Sequence, residues 1–232
     1  ITGGGTGIGR ALAKQLASEG CSVAMCDISQ TDMDESCAHA LDGAPQGVRV
    51  TGFLADVAIE AQLNAFRDDA LEQHDTDHIH LLFNNAGIGG PREGIEELDF
   101  DDYDKIMNLL LKSVFMGTQY AIPLMKKRGG GSIINTSSVS AISAGYAPLT
   151  YSVAKAGVAH FSKMAAAELG KYKIRVNAIR PGLIATSIFG ATLGLPREQA
   201  DQLAALISQT AAGIQPAGRA GQARDIAEMV AF

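Results

Sequence analysis

Two side chains that could together move a proton stand four residues apart, Tyr151 and Lys155. On a helix, this spacing places both side chains on one face. A free tyrosine has a pKa of about 10 and is a poor base at neutral pH, whereas a nearby ammonium favours the phenolate and lowers that pKa. The pair therefore predicts a general acid and base. Taken alone, the same spacing is also typical of an ordinary helix face.

A glycine-rich loop, Thr2 to Gly9, joins the end of an apolar run to the start of a helical stretch. Glycines allow a tight turn and a close approach of the backbone to a phosphate. The following helix N-terminus offers free N–H groups and the positive end of a dipole. A glycine cluster alone is weak evidence, since it also suits a flexible turn. Its place at a strand–helix junction favours binding of a dinucleotide pyrophosphate.

An acid follows at the end of the next apolar run, Asp27, 18 residues after Gly9. A carboxylate there can accept hydrogen bonds from the adenosine ribose hydroxyls, and it would repel a 2′-phosphate. The neighbours Thr6 and Ile28 are uncharged, and Arg10 lies on the first helical turn. The arrangement predicts NAD rather than NADP, although Asp is also common as a turn residue at strand ends.

The elements that must position these groups alternate along the chain, strand after helix. Short apolar runs bounded by turn residues suit strands buried on both faces. The predicted strands are 22–26, 48–54, 79–83, 132–135 and 174–179. The predicted helices are 10–19, 101–128 with Asp99 as N-cap, 151–169, 196–212 and 225–232. This alternation predicts a doubly wound parallel sheet covered by helices on both faces, an α/β Rossmann-like fold with three αβα layers and a single domain over 1–232.

Composition excludes several classes of protein. The chain has 232 residues, 47% of them hydrophobic, and a net charge of −6 without a basic stripe, which argues against nucleic-acid binding. The three cysteines, Cys21, Cys26 and Cys37, match no zinc pattern, and no metal is expected. Their odd number suits a reducing compartment. Without a signal segment or an apolar stretch of membrane length, the sequence predicts a soluble cytoplasmic protein with no membrane partner.

The two ends and one internal segment depart from the regular alternation. The chain has no starting Met, residues 1–3 resemble the last residues of a strand, and residues 225–232 resemble a helix cut short. We therefore expect a fragment of a somewhat longer protein, truncated at both ends. Residues 187–216 interrupt the strand–helix rhythm with a loop and an apolar-faced helix, and they are predicted to form a substrate lid.

Several motifs occur together in one order. They are the G-x-x-x-G-x-G spacing of Gly3, Gly7 and Gly9, then Asn84-Asn85-Ala86-Gly87, Ser138, Tyr151-x-x-x-Lys155 and Pro181-Gly182. Each is modest alone, but in this order and at these distances the chain resembles the short-chain dehydrogenase/reductase family over nearly its whole length. The resemblance also accounts for the ends, because family members continue beyond both of them.

The resemblance implies roles for three catalytic residues. Tyr151 would be the general acid and base, and Lys155 would lower its pKa and hold the nicotinamide ribose. Ser138, 13 residues before Tyr151, would orient the substrate oxygen. Ser137 is the rival, but neighbouring strand residues face opposite sides, so only one of the two should face the site.

The resemblance also implies a cofactor site that collects residues from the whole chain. Asp56 and Val57 would contact adenine, although Asp56 also suits the N-cap of the next helix, and the segment from Pro181 to Thr186 would bind the carboxamide. The residues expected to bind the cofactor are Gly3, Thr6, Gly7, Ile8, Gly9, Asp27, Asp56, Val57, Asn85, Ala86, Gly87, Tyr151, Lys155, Pro181, Gly182, Ile184 and Thr186.

The function implied is hydride transfer between NAD(H) and a small alcohol or ketone. The segments expected to form the pocket suggest a secondary or cyclic, apolar substrate, since they contribute Ile88, Ile142, Leu183, Ile188, Phe189 and Leu193. Arg92 is the one cation there that could meet an acid group. Two alternatives stay open: a cofactor-binding sensor or scaffold with weak catalysis, and a 3-oxoacyl-acyl-carrier-protein reductase. The second usually uses NADPH, and Asp27 argues against that cofactor. The family usually forms dimers or tetramers through helices 101–128 and 151–169, so a homodimer or homotetramer is expected.

One residue departs from the family pattern. Many members carry a catalytic Asn on the long helix where this chain has Leu110. Asn108 is two residues earlier, about 200° around a helix, and cannot substitute for it without a bulge. The departure puts a water-mediated proton relay in doubt but leaves the Ser138, Tyr151 and Lys155 core intact.

Overall fold

The computed structural model describes residues 1–91 and 94–232. The helices are α1 Gly7–Ser18, α2 Gln30–Leu41, α3 Glu60–Gln73, α4 Phe100–Met107, α5 Ser113–Arg128, α6 Leu149–Leu169, α7 Ile188–Thr192, α8 Arg197–Thr210 and α9 Ala223–Ala231. The strands are β1 Val23–Asp27, β2 Val50–Leu54, β3 Leu81–Asn84, β4 Gly131–Thr136 and β5 Ile174–Ile179. These elements confirm the predicted α/β architecture.

All strand pairs are parallel, and an extended segment at residues 1–2 joins two groups of strands. β1 pairs with β2, and β4 lies between β3 and β5. Between the groups, Cys26 N donates to Ile1 O at 3.0 Å and Thr2 N donates to Phe83 O at 3.0 Å. The strand order is therefore β2, β1, residues 1–2, β3, β4 and β5. This arrangement leaves a crevice at the carboxyl ends of the strands between β1 and β3, where ligands bind in open α/β sheets.

Alternation along β1 shows how the two faces are filled. Met25 and Cys26 are both fully buried, and adjacent strand residues point to opposite faces. Met25 packs in one core with residues of α1, α2 and α9, while Cys26 packs in another with residues of α3 and α5. Helices therefore cover both faces of the sheet, as the buried-strand pattern predicted.

Two helix predictions differ from the structure. The first helix begins at Gly7 rather than Arg10, so its first turn lies inside the glycine loop. The single helix predicted over 101–128 is interrupted by a π-helical turn at Asn108–Lys112, where Ser113 N donates to Asn108 O. Such turns are rare and often mark functional sites. The N-cap prediction is confirmed, since the Asp99 carboxylate accepts from Asp101 N at 2.7 Å.

A buried polar network that the sequence did not reveal ties β3 and β4 to α6. Asn84 Nδ2 donates to Asn135 Oδ1 at 2.9 Å, and Asn135 Nδ2 donates to Ser162 Oγ at 2.9 Å. Ser162 Oγ in turn donates to Val158 O at 2.7 Å. Because buried polar groups are costly without partners, this network of hydrogen bonds fixes the position of α6 relative to the strand ends.

Two kinds of feature are absent from residues 1–91 and 94–232. None of these helices is both long and apolar enough to cross a membrane. The same residues contain no group of three or more His, Cys, Asp or Glu side chains placed to hold a metal ion. All three cysteines are free, and Cys26 lies fully buried in the core.

Candidate active site

A cavity of about 610 Å³ opens at the carboxyl ends of β3, β4 and β5. This volume is within the range typical of small-molecule and cofactor sites. Several expected site residues line it: Ile8, Asn85, Gly87, Ser138, Tyr151, Lys155, Pro181, Gly182, Ile184 and Thr186. The sheet topology brings them together from segments that are distant in sequence.

The three expected catalytic residues meet in this cavity. Ser138 follows the end of β4, while Tyr151 and Lys155 lie on α6. Lys155 Nζ donates to Thr136 O at 2.7 Å, and Ser137 Oγ donates to Lys155 O at 2.7 Å. These two bonds join the end of β4 to α6 and occupy the Ser137 hydroxyl, while Ser138 Oγ lies 3.1 Å from Ser140 Oγ.

Burial dominates the electrostatics of the pair on α6. Lys155 is 3% exposed, and desolvation lowers the pKa of its ammonium to about 8. Burial raises the pKa of Tyr151, and the neighbouring Ser138 hydroxyl opposes that shift. Lys155 Nζ lies 5.7 Å from the centre of the Tyr151 ring and points to Thr136 O. The lowering of the tyrosine pKa by Lys155 therefore stays a prediction, to be tested with cofactor bound.

The glycine loop packs too closely against the sheet to admit side chains. Gly3 has a φ of +67°, and a Cβ on it would lie 2.7 Å from Ala86 Cα. A Cβ on Gly9 would collide with the backbone of Gly3. Gly7, with a φ of +50°, faces Thr186. Close approach and left-handed backbone together explain the glycines at positions 3, 7 and 9.

A threonine hydroxyl that sequence analysis missed holds the loop after β3. Thr2 Oγ1 accepts from Asn85 N at 2.9 Å and from Ala86 N at 3.1 Å. Asn85 Oδ1 in turn accepts from Thr136 Oγ1 at 3.3 Å. The Thr2 hydroxyl thus connects the glycine loop to the Asn-Asn-Ala-Gly segment, and the Asn85 side chain connects that segment to the end of β4.

Asp27 lies at the opposite end of the crevice. Its Oδ2 accepts from Gly5 N at 2.9 Å, and its Oδ1 accepts from Ile28 N at 2.8 Å. Asp27 therefore also fixes the conformation of the glycine loop. A carboxylate oxygen has two lone pairs, so both oxygens keep acceptor capacity for a ligand.

Asp56 and Val57 adjoin Asp27 rather than the catalytic residues. Ala55 N donates to Asp27 O at 2.9 Å, which places this segment at the same end of the crevice as Asp27. Asp56 Oδ1 accepts from Ala58 N at 2.9 Å in the turn that leads into α3, whose N-cap is Ile59. The alternative of Asp56 as an N-cap is therefore wrong. The Val57 side chain is 4% exposed and packs in the core.

The segment after β5 is held by a glutamine that sequence analysis overlooked. Gln215 Oε1 accepts from Leu183 N at 3.1 Å, and Gln215 Nε2 donates to Leu183 O at 3.2 Å. Gln215, near the end of the predicted lid 187–216, is thus bound to the segment that precedes the lid. Leu183, Ile188 and Phe189 line the cavity as expected.

Three of the six expected pocket residues are elsewhere in the described structure. Ile88 packs beside Leu110, while Ile142 and Leu193 are 69% and 56% exposed. Their loops follow the pocket walls, but sequence alone does not decide which side chains turn inward. Arg92 lies outside the described residues.

Leu110 occupies an interior position next to Lys155. Leu110 is fully buried against Ile106 and Ala154, whereas Asn108 is exposed. A Cβ on Gly87 would lie 2.9 Å from Leu110 Cδ2 and 3.8 Å from Lys155 Nζ, which locates both side chains beneath the same loop. The π turn therefore does not bring Asn108 into the site.

Comparison with known proteins agrees with this geometry. Residues 1–204 match the model of the family described as short chain dehydrogenase. Levodione reductase from Leifsonia aquatica is 35% identical over 237 residues, which cover 100% of this chain and 85% of that protein. A crystal structure of levodione reductase matches with a TM-score of 0.87 and 36% identity, covering 100% of this chain and 88% of that one.

Two further relatives differ in what their names say they act on. Cyclohexanol dehydrogenase from Acinetobacter sp. (strain SE19) is 32% identical over 236 residues, covering 100% of this chain and 85% of that protein. A 3-oxoacyl-acyl-carrier-protein reductase from Thermotoga maritima is 34% identical over 233 residues, covering 100% of this chain and 87% of that protein. Identity alone does not separate these substrate classes.

We predict that Leu110→Asn lowers stability more than it changes chemistry. An amide without partners at this fully buried position would cost roughly 1–3 kcal/mol, which corresponds to about 2–4 °C in Tm per kcal/mol for a chain of this size. Turnover per folded molecule should be unchanged or modestly raised, because the backbone carbonyls of the π turn, which can hold the water of a proton relay, are present in both proteins. Leu110→Met, which keeps an apolar side chain, is the matched control.

Calorimetry and steady-state kinetics on the same preparations test this expectation. A Leu110→Asn enzyme with wild-type Tm but little activity would contradict it. That result would mean that Leu110 itself supports the chemistry.

Proposed function

This chain belongs to the short-chain dehydrogenase family, and we propose that it transfers a hydride between NAD(H) and a secondary or cyclic alcohol or the matching ketone. It is an oxidoreductase, as its family and its alcohol- and ketone-acting relatives indicate. The observation that carries the proposal is the meeting of Ser138, Tyr151 and Lys155 in one cavity, beside a loop whose glycines pack too closely on their neighbours to be replaced by larger residues.

In this proposal, Tyr151 Oη exchanges a proton with the substrate oxygen, and Ser138 Oγ orients that oxygen. The Ser137 hydroxyl is already bonded to Lys155 O, which supports Ser138 as the substrate-binding serine. Lys155 keeps its amine beside the tyrosine through Thr136 O. With a pKa of about 8, this amine is still largely protonated at neutral pH and can favour the phenolate.

A nicotinamide dinucleotide fits the residues present. The glycines between Gly3 and Gly9 let the loop pack closely on its neighbours, and the N-terminus of α1 begins inside the loop at Gly7, where its free N–H groups suit a pyrophosphate. Asp27 would accept from the ribose hydroxyls, while Thr186 and the Pro181-Gly182 turn would border the nicotinamide. When bound, the cofactor supplies or accepts the hydride; the protein's residues orient the substrate and handle the proton.

The charges near Asp27 support NAD over NADP. Arg10 donates to Gly5 O and Ser36 Oγ and pairs with Glu35 at 3.3 Å. Arg197 pairs with Asp32 at 3.0 Å. Both arginines near the loop are thus matched by acids, and a 2′-phosphate would meet the Asp27 carboxylate instead of a free cation.

The lining of the cavity supports an apolar, uncharged substrate. Among the described residues that line it, Lys155 is the only one with a formal charge. Ile188, Phe189 and Ile214 add apolar surface. Levodione reductase and cyclohexanol dehydrogenase are named for cyclic ketone and alcohol substrates, which favours this class here. The two arginines beside the glycine loop, Arg10 and Arg197, are paired with acids and are therefore not free to bind an acidic carrier protein.

Three further expectations belong to the same proposal. Residues 187–216 act as the substrate lid, since α7 supplies Ile188, Phe189 and Thr192 to the cavity. A cytoplasmic location agrees with the three free cysteines. The chain forms a homodimer or homotetramer, an expectation supported by Phe115, which is 48% exposed on α5, and Met164, which is 60% exposed on α6.

A panel of secondary and cyclic alcohols and ketones, assayed with NAD(H) and NADP(H), tests the proposed reaction. Turnover of cyclic or secondary substrates with NAD(H) is expected. Preference for acyl thioesters together with NADPH would favour the carrier-protein alternative. Binding of cofactor without turnover of any member would favour the sensor.

Tyr151→Phe should lower kcat by about a hundredfold or more, because general acid–base catalysis contributes about 10²–10⁴-fold. The ring remains, so NADH affinity should stay close to wild type. Steady-state kinetics and fluorescence titration with NADH measure the two effects separately. Tyr172→Phe, remote from the cavity, is the matched control, and near-normal turnover of Tyr151→Phe would remove this residue from the acid–base role.

Asp27→Ala should weaken NAD binding. It should also reduce the preference for NAD over NADP by about tenfold or more, since bringing the Asp27 carboxylate and a 2′-phosphate together costs on the order of several kcal/mol. Because Asp27 also holds Gly5 N, Asp27→Asn is the informative partner: it removes the charge but keeps an acceptor. If charge decides selectivity, both variants should shift the kcat/KM ratio. A wild-type enzyme that already prefers NADPH would show the cofactor assignment to be wrong.

Light scattering at micromolar concentration should give a dimer or tetramer. Gly157 on α6 faces Leu111 of the same chain, since a Cβ on it would lie 3.0 Å from Leu111 Cδ2. The exposed apolar side chains of α5 and α6 remain for a partner. A monomer at these concentrations would contradict the assembly proposal.

A further inference from the structure

Two arginines and two acids that are far apart in sequence form an ionic cluster between α2 and α8. Arg197 Nη1 lies 3.0 Å from Asp32 Oδ1 and 3.1 Å from Glu35 Oε1, and Arg197 Nη2 also donates to Glu35 Oε2. Arg10 Nη2 lies 3.3 Å from the same Glu35 Oε2. Arg197 and Glu35 are 162 residues apart in sequence, so the cluster joins two distant segments of the chain.

On one side, this cluster is attached to the glycine loop. Arg10 Nη2 donates to Gly5 O at 2.5 Å, and Gly5 N donates to Asp27. A Cβ on Gly5 would lie 2.8 Å from Asp27 Cγ and 3.0 Å from Asp32 Cβ, so both acids border the loop. A displacement of Asp32 or Arg10 would therefore be felt at the adenosine end of the proposed cofactor site.

On the other side, Arg197 is the first residue of α8, which is packed tightly on α7. A Cβ on Gly190 would collide with Ala200, which is 2% exposed, so α7 and α8 lie in close contact and should move together. α7 carries Ile188 and Phe189, which line the cavity. It is fastened at its end by the bond from Gly89 N to Thr192 Oγ1, at 3.2 Å.

The ionic contact depends on the position of α8. The Asp32 side chain is 17% exposed, and its Oδ1, although 3.0 Å from Arg197 Nη1, makes no well-aligned hydrogen bond with any described residue. The pair is therefore an ionic contact, and the hydrogen bonds of Arg197 to this cluster go to Glu35. A forked guanidinium shared between two carboxylates is stronger and more directional than a single surface pair.

We propose that Arg197 is a positioning residue that fastens α7 and α8 across the crevice. By pairing with Asp32 and Glu35, it holds the substrate-side wall against the segment that borders the adenosine end of the site. Retention of the cofactor and closure of the substrate pocket are thereby coupled. The inference rests on the proposed NAD(H)-dependent function, although the fastening itself exists without cofactor.

The first test measures the fastening in the protein without cofactor. Hydrogen exchange of amides in 188–210 should become about threefold to tenfold faster in Arg197→Ala, a range expected for loss of a shared ion pair. Arg197→Lys, which keeps the charge but loses the fork, should give a smaller increase. Arg67→Ala removes an ion pair with Asp68 at a comparable exposure on α3 and should leave exchange in 188–210 unchanged. Equal exchange in wild type and Arg197→Ala would overturn the proposal.

The second test measures cofactor release. Stopped-flow fluorescence should show NADH dissociating about threefold to tenfold faster from Arg197→Ala, with a raised KM for substrate and a kcat that does not fall. Release from wild type should quicken with added salt, since screening weakens exposed ion pairs, and release from Arg197→Ala should depend less on salt. Adding Glu35→Gln to Arg197→Ala should change the rate less than Glu35→Gln changes it in the wild type, because only the contact of Glu35 with Arg10 is then left to lose.

The two proposals fail in different ways. A wild-type protein that binds no NADH refutes the proposed function, while the exchange experiment still decides the fastening. If the wild type binds NADH, but wild type and Arg197→Ala release it at the same rate and with the same salt dependence, the coupling alone is refuted. Additive effects of Glu35→Gln and Arg197→Ala would also refute it, since independent residues add.

Discussion

The structure depends on a short extended segment, Ile1 to Gly4, that is hydrogen-bonded on both sides. Cys26 N donates to Ile1 O, Gly4 N to Cys26 O, and Thr2 N to Phe83 O, so two groups of parallel strands form one twisted layer. The crevice opens where this segment gives way to the glycine loop. Because the Thr2 hydroxyl then accepts from Asn85 N and Ala86 N, the same residues fix the floor of the site. The absence of side chains at Gly3 and Gly9 follows from this packing.

A second constraint comes from burying a charged amine beside the proposed acid and base. Lys155 is almost fully enclosed, and its bond to Thr136 O offsets part of the desolvation cost that lowers its pKa. The same burial raises the pKa of Tyr151. The protein alone thus favours the neutral phenol of Tyr151 and weakens, without abolishing, the protonation of Lys155. A cationic nicotinamide next to them would favour the phenolate, which links the chemistry of the tyrosine to occupancy of the cofactor site.

Leu110 and the ionic cluster adapt this common scaffold in opposite ways. Leu110 makes the space beneath Lys155 apolar, and the π turn over Asn108–Lys112 accommodates it without turning Asn108 inward. At the adenosine end, charge is concentrated instead: Arg10 and Arg197 share Asp32 and Glu35. The packing beneath Lys155 is therefore apolar, whereas the surroundings of Asp27 are strongly ionic. This division suits an apolar substrate and a cofactor with a polar adenosine end.

The sequence by itself determined the fold class and the order of the elements, and it predicted many of the residues that line the cavity. Buried parallel strands have a distinct apolar pattern, and glycine, tyrosine and lysine at these spacings, in this order, are typical of one kind of site. Only the tertiary structure decided which contacts hold them. The bonds of Thr2 to Asn85, of Gln215 to Leu183 and of Arg197 to Glu35 cross between segments that local patterns treat as independent. The periodicity of apolar residues did not reveal the π turn either. One extra residue in a helical turn changes the direction in which the following side chains point, but it does not change which residues are apolar.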